Sequence, residues 1–247
     1  MVAYVSCVGK THRHVGGKRN RRADEEKMKK YRKVIGGIAF LVYKALALNI
    51  IWTGINETEA DAWIETVLPA NAVMVIEAKS QAELLRASYC LVIPLIIVFI
   101  GLIVLGKKKG WFIPSKKGFV IGAVASFLLQ GFHELLHGMA CPAGSDMYIG
   151  IIKENFSGYA TTTSPMNFFQ CIVYYLLPAL VLGIVPMVCF LLDKEKKSTV
   201  CWFFYGFAMI GLIQTSPDWF GLYPILQQVP RDAFIQISGW HTYWFCK

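Results

Sequence analysis

The chain has 247 residues, of which 55% are hydrophobic and 17% are charged, and its net charge is +9. A soluble domain of this length would carry about 25% charged residues, so a separate soluble domain of any size is excluded. Several apolar runs of about 20 residues, the length that a helix needs to cross a bilayer, instead predict an all-α polytopic membrane protein.

Residues 1–33 form a basic arm that is crowded with lysine and arginine, including Lys18, Arg19, Arg21 and Arg22. A nucleic-acid-binding arm is one interpretation. The arm is followed directly by an apolar run and no nucleic-acid-binding fold surrounds it, so we interpret it as a topology anchor that stays in the cytoplasm. This interpretation predicts anionic membrane lipid as a partner and no nucleic acid.

Hydropathy predicts about five transmembrane helices, at residues 34–52, 88–105, 119–140, 169–192 and 199–218. The segments that flank them alternate between basic ones and ones that are acidic or sparsely charged, which is the pattern for a cytoplasmic N-terminus and an outer C-terminus. We expect a multi-pass protein of the cell membrane. Residues 34–118 would provide two accessory helices with an acidic outer loop, and residues 119–247 would form the membrane core.

The third predicted helix contains the run His133-Glu134-Leu135-Leu136-His137. On a helix, residues four positions apart share one face, so the two imidazoles could grip one Zn²⁺ ion. Glu134 lies beside them, where it could take a proton from a water activated by the metal. Chance matches to this pattern occur in soluble helices, but ionisable groups inside a spanning helix are costly and usually functional. We therefore predict a metal site.

A catalytic zinc site needs a third protein ligand at the same depth. If both helices are straight, His137 lies about 27 Å along the third and Asp218 about 28 Å along the fifth. Asp218 is therefore the predicted third ligand, which puts the metal site between the third and fifth helices; an ordinary interfacial residue is the alternative. The other candidates lie in predicted outer segments, and His241 is the strongest of Asp146, Glu154, Asp232 and His241.

Two further features of the outer segments leave alternatives open. Cys141 and Cys246 could both lie outside the cytoplasm, where a disulfide is possible, although their spacing does not specify one. The run from Tyr159 to Thr163 has the composition of a strand and could pair with an extended peptide by edge addition. An ordinary exposed loop is the alternative for this segment.

Over residues 119–244 the chain resembles the zincin-peptidase family of membrane proteins and, through it, the site-2-protease-like intramembrane metalloproteases. The resemblance implies that Asp218 acts as the third metal ligand and that the metal is zinc. The segments that carry it are His133 to Gly138, Gly158-Tyr159-Ala160 with Ser164-Pro165, Leu177-Pro178, Ser216-Pro217-Asp218, Val229-Pro230 and the region of Gly239.

The sequence thus predicts an intramembrane zinc metalloendopeptidase with Glu134 as the general base and a peptide or membrane protein as its substrate. The alternative is a non-proteolytic membrane protein that keeps a metal for sensing, transport or structure. A structural zinc usually has four protein ligands. The sequence offers a convincing third ligand and no clear fourth, which favours catalysis.

Overall fold

The computed structural model describes residues 47–110, 114–154, 157–193 and 196–246, all within one compact unit. The basic arm and residues 34–46 of the predicted first span lie outside the described residues. In chain order the elements are β1 (Asn49–Asn56), β2 (Val73–Met74), α1 (Gln81–Lys108), α2 (Lys116–Leu128), α3 (Gln130–Gly138), β3 (Asp146–Ile152), β4 (Ser157–Thr162), β5 (Met166–Asn167), α4 (Phe168–Pro178), a π-helix (Ala179–Ile184), α5 (Val185–Leu192), α6 (Thr199–Gln214), α7 (Ser216–Gln228), β6 (Phe234–Ser238) and β7 (His241–Phe245).

Two helices in the described part of the chain are long and apolar enough to cross a membrane. They are α1, with 28 residues, and the continuous helical stretch Phe168–Leu192, with 25. These two helices confirm the predicted second and fourth spans as apolar helices. The helices α2 and α3 are bent by 52° relative to each other, and α6 and α7 by 46°. Counting each bent pair as one span gives up to four spans by length and composition.

The prediction of an all-α fold is wrong, because the described residues also form two β-sheets. One has the strand order β1-β3-β4, with β1 parallel to β3 and β3 antiparallel to β4. The other is antiparallel, with the order β2-β7-β6-β5. Helix-forming apolar runs dominate the hydropathy, whereas these strands are two to eight residues long and are stabilised by partners far away in the sequence.

The predicted first span is also wrong at its end, since residues 49–52 lie in β1 and not in a helix. The strand contains Ile50, Ile51, Trp52, Thr53 and Ile55. These β-branched and aromatic side chains suit a strand at least as well as a membrane helix, and hydropathy alone does not separate the two. Pairing with β3, which runs from Asp146 in register with Asn49, decides in favour of the strand.

Both bends come just before the residues of the predicted metal site. At the second bend Pro217 occupies the first turn of α7 and has no N–H to donate to the carbonyl of Ile213, four residues earlier. The Ser216 hydroxyl donates to that carbonyl oxygen instead, at 2.7 Å. At the first bend the backbone leaves helical values at Leu129, where ψ is 18°. The straight third and fifth spans of the sequence prediction are therefore each broken in two.

Glycines hold α2 and α6 in backbone contact. A Cβ atom at Gly122 would overlap the carbonyl oxygen of Phe203, and one at Gly206 would overlap that of Phe119. A Cβ at Gly118 would likewise overlap the carbonyl oxygen of Thr199. Because the contacts advance along both helices in the same direction, α2 and α6 run parallel, packed through small residues as in many membrane proteins. Each of these two helices is followed by a helix of the predicted metal site: α3, with His133 and His137, follows α2, and α7, with Asp218, follows α6.

Candidate metal centre

The helix α3 supplies two buried imidazoles from one face. His133 and His137 are each 4% exposed, and their Nε2 atoms are 3.1 Å apart. The Nδ1 atom of His137 lies 2.7 Å from the backbone carbonyl oxygen of Tyr174 in α4. A carbonyl only accepts, so His137 must carry its proton on Nδ1 and donate it there. In the neutral ring, the lone pair on Nε2 of His137 then faces the centre of the site.

The carboxylate of Asp218 completes the group from the first turn of α7. Its Oδ2 atom lies 3.4 Å from Nε2 of His133, and its Oδ1 atom lies 3.6 Å from Nε2 of His137. In the described part of the chain, these three residues are the group whose ligand atoms lie within 4.8 Å of one another. The structure therefore brings together the three residues that the sequence singled out as metal ligands.

The spacing of these atoms fits a tetrahedral ion. When Zn²⁺ is bound by nitrogen and oxygen at about 2.0–2.1 Å, neighbouring ligand atoms are about 3.3–3.4 Å apart, close to the three distances of 3.1, 3.4 and 3.6 Å. Oδ2 of Asp218 is buried and has no hydrogen-bond donor among the described residues. A buried carboxylate oxygen without a donor is costly, and a cation at the centre would remove that cost.

Glu134 lies beside the three residues but is not one of the converging group. Its side chain is 5% exposed, and Oε1 accepts a hydrogen bond from Nε2 of Gln130 at 3.0 Å. Gly158 of β4 lies against it, since a Cβ at that position would come within 3.0 Å of Oε1. The carboxylate is thus held between its own helix and β4, an edge strand of the three-stranded sheet.

The four alternative ligands from the sequence lie elsewhere. Asp146 accepts a hydrogen bond from Asn49 at 3.1 Å, at the start of β3. Glu154 and Asp232 are exposed. His241 in β7 has its Nδ1 atom 3.9 Å from the carboxylate of Glu77. Cys141, which is buried, and Cys246, which is exposed, are both free thiols, so the structure contains no disulfide between them.

Sequence reasoning missed three contributors to the site. Gln130 precedes Glu134 by four residues, so its position on the same helix face could have been read from the spacing. The Tyr174 carbonyl and Gly158 reach the site from other elements, through contacts that only the tertiary structure reveals. Of the strand-like run from Tyr159 to Thr163, all but Thr163 lies in β4, which confirms the strand interpretation for these residues.

A family model described as "Putative zincin peptidase" matches residues 126–234. The match runs from the end of α2 to the start of β6 and so includes His133, Glu134, His137 and Asp218. It supports a zincin-like peptidase. No curated protein and no solved structure matches the chain. A zincin-like peptidase implies metalloprotease activity and zinc as the metal, in agreement with the donor set of two imidazoles and one carboxylate.

Proposed function

We propose that the chain is an intramembrane zinc endopeptidase. The observation that carries this proposal is the convergence of the His133, His137 and Asp218 side chains within 4.8 Å, beside the buried carboxylate of Glu134. The family match supports the peptidase part. The apolar helices that flank the site support the membrane part, since only 11% of the apolar window of α1 is buried within the protein. The remaining surface of this helix suits contact with lipid.

Nε2 of His133, Nε2 of His137 and one carboxylate oxygen of Asp218 would hold the zinc ion. Bound there, zinc lowers the pKa of a water molecule and polarises the carbonyl group of a peptide. Three protein ligands leave a fourth position open, as in catalytic zinc sites. The described residues offer no fourth protein ligand within this group, which favours catalysis over a structural role for the metal.

Glu134 would act as the general base and then as the general acid. It accepts the proton of the attacking water and passes it to the leaving amine, so that the peptide is cleaved without a charged leaving group. The hydrogen bond from Gln130 at 3.0 Å fixes the orientation of Oε1. The contact with Gly158 keeps the carboxylate close to the strand where we place the substrate.

The edge of β4 offers a docking place for an extended peptide. The Tyr174 hydroxyl donates to the carbonyl oxygen of Ala160 at 2.8 Å, on the edge that faces away from β3. Backbone groups two residues apart point to the same edge of a strand, so those of Gly158 also face the site. An extended segment that pairs at Gly158 would place a peptide carbonyl beside Glu134. A helical substrate would first have to unwind, since its carbonyls are occupied.

We base the placement of the site in the membrane on the hydropathy and the charge pattern of the sequence. We propose that residues 1–33 remain in the cytoplasm, that residues 34–118 are accessory to the membrane core at residues 119–247, and that the C-terminus is outside. The natural substrate would then be a membrane-anchored peptide or membrane protein. The relation to site-2 proteases remains a proposal that rests on the motifs of the sequence.

The experiment that tests the function is the substitution Glu134→Gln in purified protein. Zinc content should be unchanged because Glu134 is not a ligand. Cleavage of a membrane-anchored peptide should fall by a factor of about 10² to 10⁴, the usual loss when a general base is removed. Glu57→Gln, at a carboxylate that is 71% exposed, is the matched control and should retain activity.

Three results would decide against parts of the proposal. Cleavage that persists in the Glu134→Gln variant would exclude the general-base role. Wild-type protein that binds zinc stoichiometrically but cleaves no anchored peptide would favour the non-proteolytic alternative. Protein purified without zinc, and unable to take it up, would exclude the metal site altogether.

A further inference from the structure

We propose that Pro178 is a positioning residue for His137, and that it acts by leaving the Tyr174 carbonyl without a helical hydrogen-bond donor. The inference rests on the proposed zinc site and extends it to a residue that does not touch the metal. It starts from the single hydrogen bond between Nδ1 of His137 and the Tyr174 carbonyl oxygen, at 2.7 Å.

In an α-helix the carbonyl of residue 174 would accept the N–H of residue 178. Residue 178 is proline, which has no N–H. The next N–H along the chain, that of Ala179, donates to the carbonyl of Leu176 instead. The Tyr174 carbonyl oxygen therefore points out of its helix with a lone pair available, and His137 of the neighbouring helix α3 uses it.

The position of Pro178 makes this effect local. Pro178 is almost fully buried, at the last residue of α4 and just before the π-helix. Tyr174 is 4% exposed, and its ring lies 4.7 Å from that of His137. Its hydroxyl donates to Ala160 of β4 at 2.8 Å. Tyr174 thus contacts His137 of α3 through its carbonyl and its ring, and β4 through its hydroxyl.

The consequence for the site is the choice of tautomer. While Nδ1–H of His137 donates to a carbonyl, Nε2 carries the lone pair that a metal requires, and the ring cannot rotate away. An N–H at position 178 would compete for the same carbonyl oxygen. His137 would then lose part of its orientation, and the tautomer with the proton on Nε2 would become populated.

The test is Pro178→Ala, which restores the N–H in a good helix former, compared with Pro94→Ala. Pro94 also lies inside an apolar helix, α1, but is exposed and distant from α3 in the chain. We expect Pro178→Ala to weaken zinc binding by a factor of about 10 to 100, the usual cost of removing a partner that orients a metal-binding histidine. Competition with a chelator measures this affinity. Pro94→Ala should bind zinc as the wild type does.

A second readout does not depend on metal or activity. In metal-free protein with ¹⁵N-labelled histidine, NMR shifts distinguish the two neutral tautomers. We expect His137 of the wild type to carry its proton on Nδ1 and the Pro178→Ala variant to show a mixture. Tyr174→Phe keeps the backbone carbonyl and loses only the hydroxyl, so it should leave the tautomer unchanged.

The outcomes separate this inference from the proposed function. If metal-free wild type has the His137 proton on Nε2, or if Pro178→Ala changes neither tautomer nor zinc affinity, the inference about Pro178 is overturned while the zinc site stands. If the tautomer responds as expected but the wild type binds no zinc, the positioning is supported and the proposed function fails.

Discussion

At the scale of single residues, Asp218 is the ligand on which the three-residue group depends. The two histidines share a helix and would face the same point in many helices, whereas Asp218 lies on another helix, 81 residues after His137. Its buried Oδ2 atom has no donor among the described residues, yet it lies 3.4 Å from Nε2 of His133. An ionised carboxylate in this position is stabilised by a cation and costly without one.

Replacing Asp218 with alanine should therefore remove most of the zinc. Since the substitution deletes one of three protein ligands, affinity should fall by more than about 100-fold, the upper end of the range for partners that merely orient a ligand. Metal analysis of the purified variant, together with a chelator titration, measures the loss. His241→Ala is the matched control, because His241 was the strongest alternative ligand. Zinc loss in that variant, with full retention in Asp218→Ala, would move the third ligand to His241.

The residues of this site could be predicted from the sequence to different degrees. The pair His133 and His137 with Glu134 follows from helical spacing and from the cost of charge in an apolar helix. Asp218 was singled out from its depth on a straight helix, but the helices before both partners are bent. The side chains do meet in the structure, but the depth calculation assumed straight helices and does not explain why they meet. The Tyr174 carbonyl could not be predicted, since its contact depends on how α3 and α4 pack.

At the scale of elements, the α2–α6 contact determines where the two halves of the site begin. Its glycines allow backbone to touch backbone, and each of these two parallel helices is followed by a helix that carries ligands, α3 after α2 and α7 after α6. The short strands could not be predicted from hydropathy. β1 lies at the end of an apolar run and is a strand because it pairs with β3. β6 and β7 lie in the segment after Asp218, whose composition gives no membrane signal.

Gly122→Ala should weaken this contact and, through it, the metal site. The added Cβ would overlap the backbone carbonyl of Phe203, which cannot move aside as a side chain could. Overpacking of this kind costs about 1–3 kcal/mol, and any separation of α2 from α6 spreads the ligands apart. Thermal unfolding in detergent and zinc content measure the two effects.

The control for that substitution is Gly101→Ala in α1, where nothing lies within 4 Å of the added Cβ. Alanine is favoured over glycine inside a helix by roughly 0.5–1 kcal/mol, so this variant should be as stable as the wild type or slightly more so. If Gly122→Ala matched Gly101→Ala in both stability and zinc content, close packing of α2 and α6 would not be what positions the ligands.

At the scale of the whole molecule, the two sheets join segments that hydropathy treats as separate loops. The loop after β2 is held against β7, where the carboxylate of Glu77 accepts hydrogen bonds from the backbone N–H of Thr242 at 2.6 Å and from its hydroxyl at 3.2 Å. The Glu77 side chain is only 11% exposed. Burial raises its pKa from the ordinary 4.5 to about 7, and the hydrogen bonds from Thr242 offset only part of that effect. Among the described residues, the ionisable groups His241, Tyr175 and Cys171 also interact with it.

The raised pKa makes the stability of the folded protein depend on pH. Well below pH 4.5, Glu77 is protonated in both the folded and the unfolded state, so it does not make the free energy of unfolding depend on pH. Between pH 4.5 and 7 the folded state keeps a proton that the unfolded state has released, so the free energy of unfolding falls as the pH rises. The total loss corresponds to about 3 kcal/mol and is complete above about pH 7.

Glu77→Gln should remove this part of the dependence, because the neutral amide resembles the protonated acid and can still accept from Thr242. Denaturant unfolding of the variant and of the wild type at pH 5 and pH 8 measures how much of its free energy of unfolding each protein loses between these two pH values. The variant should gain stability relative to the wild type at pH 8 and little at pH 5. Glu57→Gln, at an exposed carboxylate, should lose as much free energy of unfolding between these pH values as the wild type does. The Glu77→Gln protein could instead lose as much stability as the wild type between these two pH values. The contact between Glu77 and Thr242 of β7 would then not be the source of the pH dependence, and a different buried group would have to cause it.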